Sequence, residues 1–480
     1  MRKTVKKLTA VGLTVTSVLG LVACGSSKGT TSQGTSENKE VTKPDTFTVM
    51  CDGTVVTETN GAEAFYKQLN EATGLDIKWT RPDHASYYDA VANAFNSDDT
   101  MPDVVLLSSD YYALYASNGF LWNMTDAWEH SETKNSGRLI STADNVLSAL
   151  MVNGEDGTKA MYGLSLYRGN GCCTYVKKAW LDKAGIDASK VKDVQMDFNT
   201  YYGYLKQMAQ TMGHYVISSP GFIHPEAPNT NYLPEFYQKA QYTFYKDTSG
   251  KYVDGFAQQE MKEALQRIQP AVNDGVIDKE SVNNSTANAR DKFYSTDPST
   301  ETGVFTYWAG TWANTLKTNL ANKGLDDELI AIKPIKELGA YTERIAPCWC
   351  ITSAAKNPEG IFKYFIDKML DGGDVQMLWT HGAKGTHWDD KAETVTVEKK
   401  EDQPKTYTEG QFHYLPGIEK PDQWQTKNHI DPILSIANFT NGYVGESLIP
   451  EVARENGEFF AENSQVAVPL PMTSELSNNI

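Results

Sequence analysis

The feature that most constrains this chain is the alternation of short apolar strands with amphipathic helices that begins at residue 46. Thr46 to Cys51 alternates, with Phe47, Val49 and Cys51 on one side, which is the period of a half-buried strand. Ala62 to Thr73 carries Phe65 and Leu69 four residues apart and ends at Gly74, the signature of a helix closed by glycine. Leu75 to Thr80 alternates again. Tyr88, Val91, Ala94 and Phe95 share a helical face, Val104 to Leu107 is continuously apolar, and Tyr111 to Asn118 is helical before Gly119. Parallel strands need a crossover between them, so this β-α-β-α-β-α order predicts a parallel sheet with helices on its faces. Ligands of such sheets sit beyond the carboxyl ends of the strands.

A second region starts near Tyr162. Ala179 to Ala184 reads as a short helix stopped by Gly185, and Asn199 as the cap of a helix running to Met212. Lys246 to Val253, around Ser249-Gly250, reads as a hairpin. Glu260 to Val272 is helical through Met261, Leu265 and Ile268. Gly303 to Tyr307 is an apolar strand that leads into Trp308-Ala-Gly-Thr-Trp312, and Asn357-Pro358 opens a helix with Ile361, Phe365 and Met369 on one face. The last hundred residues are polar, with turns at Pro416-Gly417 and Pro421-Asp422, and carry no clear period. The folded part, roughly 430 residues, exceeds what one core holds and points to two lobes.

The N-terminus carries an export signal. Arg2, Lys3, Lys6 and Lys7 precede an apolar stretch, Leu8 to Leu21, too short for a permanent bilayer span. It ends in Leu21-Val22-Ala23-Cys24, which reads as a bacterial lipobox with Cys24 acylated and left as the new N-terminus. Gly25 to Thr35 is rich in Gly, Ser and Thr, and a polar run continues to Asp45. A leash of roughly 20 such residues is expected to be disordered and to span about 25 Å. With no later apolar run of spanning length, the mature chain is expected on the outer face of the cytoplasmic membrane, held by lipid.

Charge and cysteine usage remove several classes. Losing the four positive charges of residues 1–23 takes the formal charge from −17 to −21. Nucleic acid needs a basic face, so it is excluded as a partner, and a self-repelling surface favours a monomer. Beyond Cys24 there remain Cys51, Cys172, Cys173, Cys348 and Cys350. An odd number cannot form a complete disulfide framework. Cys172-Cys173 and Cys348-x-Cys350 lack zinc spacing, and no histidine pair has ligand spacing, so neither metal nor cofactor is expected and the thiols read as small buried hydrophobes. Neither a Gly-x-Ser-x-Gly, a His-Glu-x-x-His nor a phosphate-cradling glycine loop is present, and no enzyme activity is expected.

Five segments, in order, carry a resemblance. They are Pro102-Asp-Val-Val-Leu-Leu-Ser-Ser-Asp110 with Ala113 to Trp122; Tyr162-Gly-Leu with Tyr175 to Gly185; Thr302 to Trp312; Ile351 to Ala355 with Asn357-Pro358-Glu359; and Trp379-Thr-His-Gly-Ala-Lys-Gly-Thr-His-Trp388. Together they resemble the lipoprotein-type extracellular solute-binding proteins of ABC importers, carbohydrate family 1, over most of the chain. The resemblance implies a two-lobed α/β fold of the type II periplasmic-binding-protein kind, each lobe a mostly parallel sheet flanked by helices, with the ligand cleft between lobes. After a signal peptide (1–23) and linker (24–45), the first lobe is expected over 46–166 plus 348–378 and the second over 167–347 plus 379–480. The implied function is capture of an oligosaccharide and its delivery to an ABC transporter permease. The stretch Ser165-Leu-Tyr-Arg-Gly-Asn-Gly-Cys-Cys-Thr174 departs from the Glu-containing segment of maltose binders, so maltose is not implied. The same fold holding a peptide or nucleoside, a lipid-anchored glycosidase, and a sensor subunit remain as alternatives.

A sugar offers an apolar C–H face and a rim of hydroxyls, which call for aromatic planes and for paired polar groups. Trp308 and Trp312 follow a strand and are the candidate platforms. By the resemblance, Asp110 at the end of the Val104–Leu107 strand takes sugar hydroxyls, with a helix cap as its other role. Arg168 and Asn170, flanking Gly169 near the first crossing between lobes, are candidate donors. Trp349 at the second crossing, Trp388 at the end of the glycine loop and His84 after the second strand complete the ligand-binding set, with Tyr111, Tyr112 and Trp379 as weaker candidates.

Overall fold

The computed structural model describes residues 40–53, 61–135, 144–165, 169–222, 231–241, 244–247, 249, 251–325, 328–371, 373–389, 413–414 and 451–467. Cys24, the signal peptide, most of the linker, Arg168 and the Pro416 and Pro421 turns lie outside the described residues. The described chain from Val41 onward belongs to one compact unit, and inside it the buried side chains gather around two sheets.

In chain order the elements used below are β1 (Thr46–Met50), α1 (Ala62–Thr73), β2 (Asp76–Thr80), α2 (Tyr87–Ala94), β3 (Val104–Leu107), α3 (Ser109–Ser117), β4 (Cys172–Lys177), α4 (Lys178–Ala184), α5 (Phe198–Met212), α6 (Gln259–Asn273), α7 (Thr286–Phe293), β5 (Val304–Trp308), α8 (Thr311–Asn322), β6 (Leu329–Ala331), β7 (Tyr341–Glu343), β8 (Cys348–Ile351), α9 (Asp374–His381), α10 (Glu451–Asn463) and β9 (Ser464–Val466).

The first sheet has the order β8-β3-β1-β2. β1 runs parallel to β2 and β3, and β8 is antiparallel to β3. The alternation read from Phe47, Val49 and Cys51 is the buried face, and Phe65 and Leu69 of α1 close over it. Gly74 ends α1 at φ +63, its N–H bonded to the Asn70 carbonyl. The Pro-Asp opening of β3 has a structural cause. Asp103 Oδ2 accepts from both the N–H and the hydroxyl of Thr48 at 2.8 Å, and the Pro102 carbonyl accepts from the Thr352 hydroxyl at 2.6 Å. One dipeptide therefore sets the register of β3 between its two neighbours.

The second sheet has the order β6-β4-β5, and β4 is antiparallel to both neighbours. Its parallel component comes from single bridges of Ile217 with Val304 and with Ile277. β4 enters this sheet from the first lobe in the middle of the layer, which fixes its direction opposite to the strands that return.

Several boundaries differ from the sequence reading. α5 is capped by Asp197, which accepts the Thr200 N–H at 2.8 Å, and not by Asn199. Leu265 is 40% exposed on the outer side of α6; Ala264 and Ile268 carry that core face instead. Asn357 does cap the turn at Pro358, but the helix then passes through a π turn over Phe362–Ile366. The expected hairpin forms from Phe244–Lys246 and Tyr252–Asp254. Residues 379–389 are corrected to the first lobe. Trp379 is fully buried against Phe65 and Phe365, and Gln68 bonds the backbone of Lys384 in both directions. α10, unmarked in the sequence reading, packs on α8 in the second lobe.

Candidate functional site

Two crossing segments join the lobes. The first crossing leaves the first lobe at Leu164, which pairs with Trp349 of β8, and reaches β4 at Cys172. The second returns from β7 to β8. Cys348, the first residue of β8, stands opposite Leu107, the last of β3, so both crossings emerge at the carboxyl ends of the parallel strands. They run side by side: the Ser165 hydroxyl donates to the Ala346 carbonyl at 2.6 Å, and the Arg344 N–H to the Asn170 carbonyl at 3.0 Å. Glycine is required here. A Cβ on Gly169 would lie 1.5 Å from the Arg344 carbonyl oxygen, and one on Gly171 would lie 2.0 Å from that of Thr342. A third segment joins them, because β9 pairs in parallel with β7. Val466 packs on the first-lobe core while Phe460 of α10 belongs to the second.

On the second-lobe side, Trp308 closes β5 opposite Cys172. Gly310, at φ +67, turns the chain from strand into α8, so Trp308 and Trp312 stand on either side of a strand-turn-helix joint and both are half-buried. Asn170 ties the joint to the crossing: its Nδ2 donates to the Ala309 carbonyl at 3.0 Å and its Oδ1 accepts the Gly171 N–H at 2.8 Å. Asn456 of α10 supports it from behind, its Oδ1 accepting the Gly310 N–H at 2.7 Å. Trp312 packs edge-on against Tyr307 at 5.2 Å. The Arg344 guanidinium lies over the Trp308 ring, 4.4 Å from its centre.

On the first-lobe side, the carboxyl ends of β1, β2 and β3 bring together Asp52, His84 and Ser108. Asp52 Oδ2 is 2.5 Å from Nδ1 of the exposed His84. The Tyr88 hydroxyl accepts the Ser108 N–H at 2.8 Å, and its ring stacks on Tyr111 at 3.8 Å and 6°. Burial pushes the Tyr88 phenol up to about 12, so at neutral pH it is a neutral hydrogen-bonding group. Asp110 lies in the first turn of α3; the N-cap is Ser108.

Of the residues picked from sequence, Trp308, Trp312 and Asn170 come together, while His84 and the backbone of Asp110 lie at the carboxyl ends of the first-lobe strands. Two expectations are corrected. Trp349 is a core ring, fully buried in mid-strand and packed edge-on against Phe365 and Trp379 at 5.9 and 5.7 Å. Trp388 is 6% exposed, with its Nε1 donating to the Gly382 carbonyl at 2.8 Å, and holds its own glycine loop closed. Arg344 and Asp52 were missed. Asp52 lies two residues past the end of β1, where the strand-end rule would have found it; Arg344 stands in a polar stretch with no motif. The five thiols are all buried and none forms a disulfide, and burial lifts Cys51, Cys173 and Cys348 to about 12. Among the described residues, no group of three or more His, Cys, Asp or Glu is placed to hold a metal. A separate cavity of about 370 Å³ opens between α10, α8 and β6, lined by Tyr175, Lys317, Glu328 and Glu455; none of the sequence-picked residues borders it.

The fold is that of the two-lobed solute-binding proteins of ABC transporters. The chain is similar to the N-glycan transport solute-binding protein of Streptococcus pneumoniae (18% identity, 91% of this chain and 88% of that one, TM-score 0.53). It is similar also to an HMO-binding, ABC-transporter-associated solute-binding protein of Bifidobacterium longum infantis (12% identity, 87% and 82%, TM-score 0.54). A family 1 extracellular solute-binding protein of Alicyclobacillus acidocaldarius matches at 14% identity over 91% and 92% with a TM-score of 0.54. At the level of sequence, no family model and no curated protein matches.

Proposed function

We propose that this chain is an extracellular substrate-binding lipoprotein that captures an oligosaccharide between its lobes and delivers it to an ABC transporter permease. The observation that carries the reading is the edge at Trp308. An indole at a strand end, with Arg344 over its ring and Trp312 beyond a glycine turn, stands at the crossings between the lobes. Such an edge offers a plane for the C–H face of a sugar and donors for its hydroxyl rim, and in this reading Asp52 and His84 serve the rim from the other lobe. Two of the structural neighbours are described as N-glycan transport and HMO-binding proteins, which is consistent with a glycan ligand here. Ligand contact with both lobes shifts the population toward closure about the glycine-bearing crossings.

Cys24 is the acylation site in this reading, and residues 25–45 the leash; the mature protein sits on the outer face of the cytoplasmic membrane as a monomer. The protein performs no catalysis. Calorimetry of the full chain against a glycan panel tests the function: binding without release of reducing ends is expected, and failure to bind any glycan overturns it. Metabolic labelling with a fatty acid tests the anchor, with label expected on wild type and lost in Cys24→Ser.

A further inference from the structure

We infer that the edge at Trp308 selects an acidic saccharide, one whose ring carries a carboxylate, and that Arg344 reads that charge. The inference rests on the sugar-binding reading above and adds the ligand's charge to it.

The basis is a cation without a side-chain hydrogen-bond or ion-pair partner among the described residues. The Arg344 guanidinium lies 4.4 Å over the centre of the Trp308 ring, and among the described residues it makes neither a hydrogen bond nor an ion pair; only its backbone N–H is engaged, by Asn170. Most other buried or half-buried cations of this lobe are occupied, Lys317 apart. Arg267 donates to the carbonyls of Phe236 and Tyr237, and Arg290 to the Tyr307 hydroxyl. Lys177 holds Glu301 at 2.8 Å and Lys292 holds Asp278 at 2.6 Å. Arg267 and Arg290 are not paired with a carboxylate either, but each donates to a protein oxygen, and among the described residues the Arg344 guanidinium has no such acceptor.

Its geometry suits the role. Stacking uses the flat face of the guanidinium and leaves its in-plane N–H groups to donate. Those groups match a carboxylate in a bidentate pair, which a single hydroxyl cannot do. A pyranose carrying a ring carboxylate presents a C–H face beside a planar anion, so a sugar at this edge can bring its carboxylate to the guanidinium's in-plane N–H groups. The acidic surface does not oppose this, because exposed charges more than about 10 Å away are largely screened at physiological salt, so the adjacent cation dominates. The position on the crossing next to Asn170 also means that a carboxylate held by Arg344 engages the joint itself.

Calorimetry of the full chain tests this with galacturonate, glucuronate and sialate oligosaccharides, each paired with its carboxyl-reduced neutral counterpart. At least one acid is expected to bind about tenfold or more tightly than its reduced partner, as a charge-assisted pair would give, with the preference shrinking as salt rises. Arg344→Gln should bring the acid-to-neutral affinity ratio close to one while the melting temperature stays at the wild-type value; Trp308→Ala should weaken both members of the pair. Equal or tighter binding of the reduced form by wild type overturns the inference and leaves the sugar reading standing, as does a ratio unchanged in Arg344→Gln. Binding to no glycan, acidic or neutral, overturns the sugar reading and this inference with it.

Discussion

Four tryptophans of this chain look alike in sequence and divide into two kinds in the structure. Trp349 and Trp379 are fully buried in the first lobe, meeting each other edge-on at 5.7 Å. Trp308 and Trp312 flank a strand-turn-helix joint in the second lobe and stay half-buried. Where the backbone goes after each ring makes the difference. Trp349 occupies the second position of β8, with three buried neighbours in the strand. Trp308 is the last residue of β5, and the backbone turns away at Gly310 immediately afterwards. A large ring in mid-strand is enclosed by the neighbouring layers; the same ring at a strand end is enclosed only where another element covers it.

The sharpest way to test this contrast is by truncation. Trp349→Ala should cost about 3–5 kcal/mol of stability through the lost ring and its cavity, measured by urea unfolding. Trp308→Ala should cost roughly 1 kcal/mol, since only part of its surface is buried, while glycan affinity falls about tenfold or more. Equal losses of stability from the two would break the comparison. The crossings come next. Gly169→Ala places a methyl against rigid backbone and should cost about 1–3 kcal/mol, whereas Gly203→Ala, on an open helix face with nothing nearby, should be neutral or stabilising by up to about 1 kcal/mol. Thermal melting of the pair checks this.

A smaller effect separates the interior of the second lobe from its edge. Glu235 is fully buried, and burial raises its carboxyl from 4.5 to about 7; the Tyr341 hydroxyl donates to it at 3.1 Å. The folded protein therefore holds a proton that the unfolded chain releases near pH 4.5, so the stability this group contributes is full below that value and declines as pH rises toward about 7. Unfolding measured at pH 5 and pH 8 should show that decline in wild type and a flatter profile in Glu235→Gln. The smallest expected signal is from the thiols. With all five buried, native protein should react with a thiol reagent only slowly, and full reactivity should appear on denaturation.

Much of the first lobe was legible in the sequence because its cues are local. The period of Phe47, Val49 and Cys51, the glycine stop at 74 and the continuous apolar run of β3 each report a buried face or a chain reversal within a few residues. The second lobe was less legible. Its sheet is antiparallel around β4, and α10 and β9 join it from more than a hundred residues away. Trp308, Trp312 and Asn170, which the structure brings together, could be picked out because strand ends and interlobe crossings are marked by their neighbours. Arg344 could not, since its role depends on a ring 36 positions earlier in the chain, and nothing in Thr342-Glu343-Arg344 announces it. Trp349 and Trp388 were misread for the converse reason: an indole's immediate neighbours, Cys348 and Cys350 or His387 and Asp389, carry no local sign of the layer that covers it.

The most direct test of sugar capture at the Trp308 edge is a crystal structure of the full chain with a glycan chosen by calorimetry. A sugar ring should lie against Trp308, within reach of the Arg344 guanidinium and of the Asp52 and His84 edge. A saccharide bound elsewhere, with Trp308 and Arg344 untouched, would contradict it.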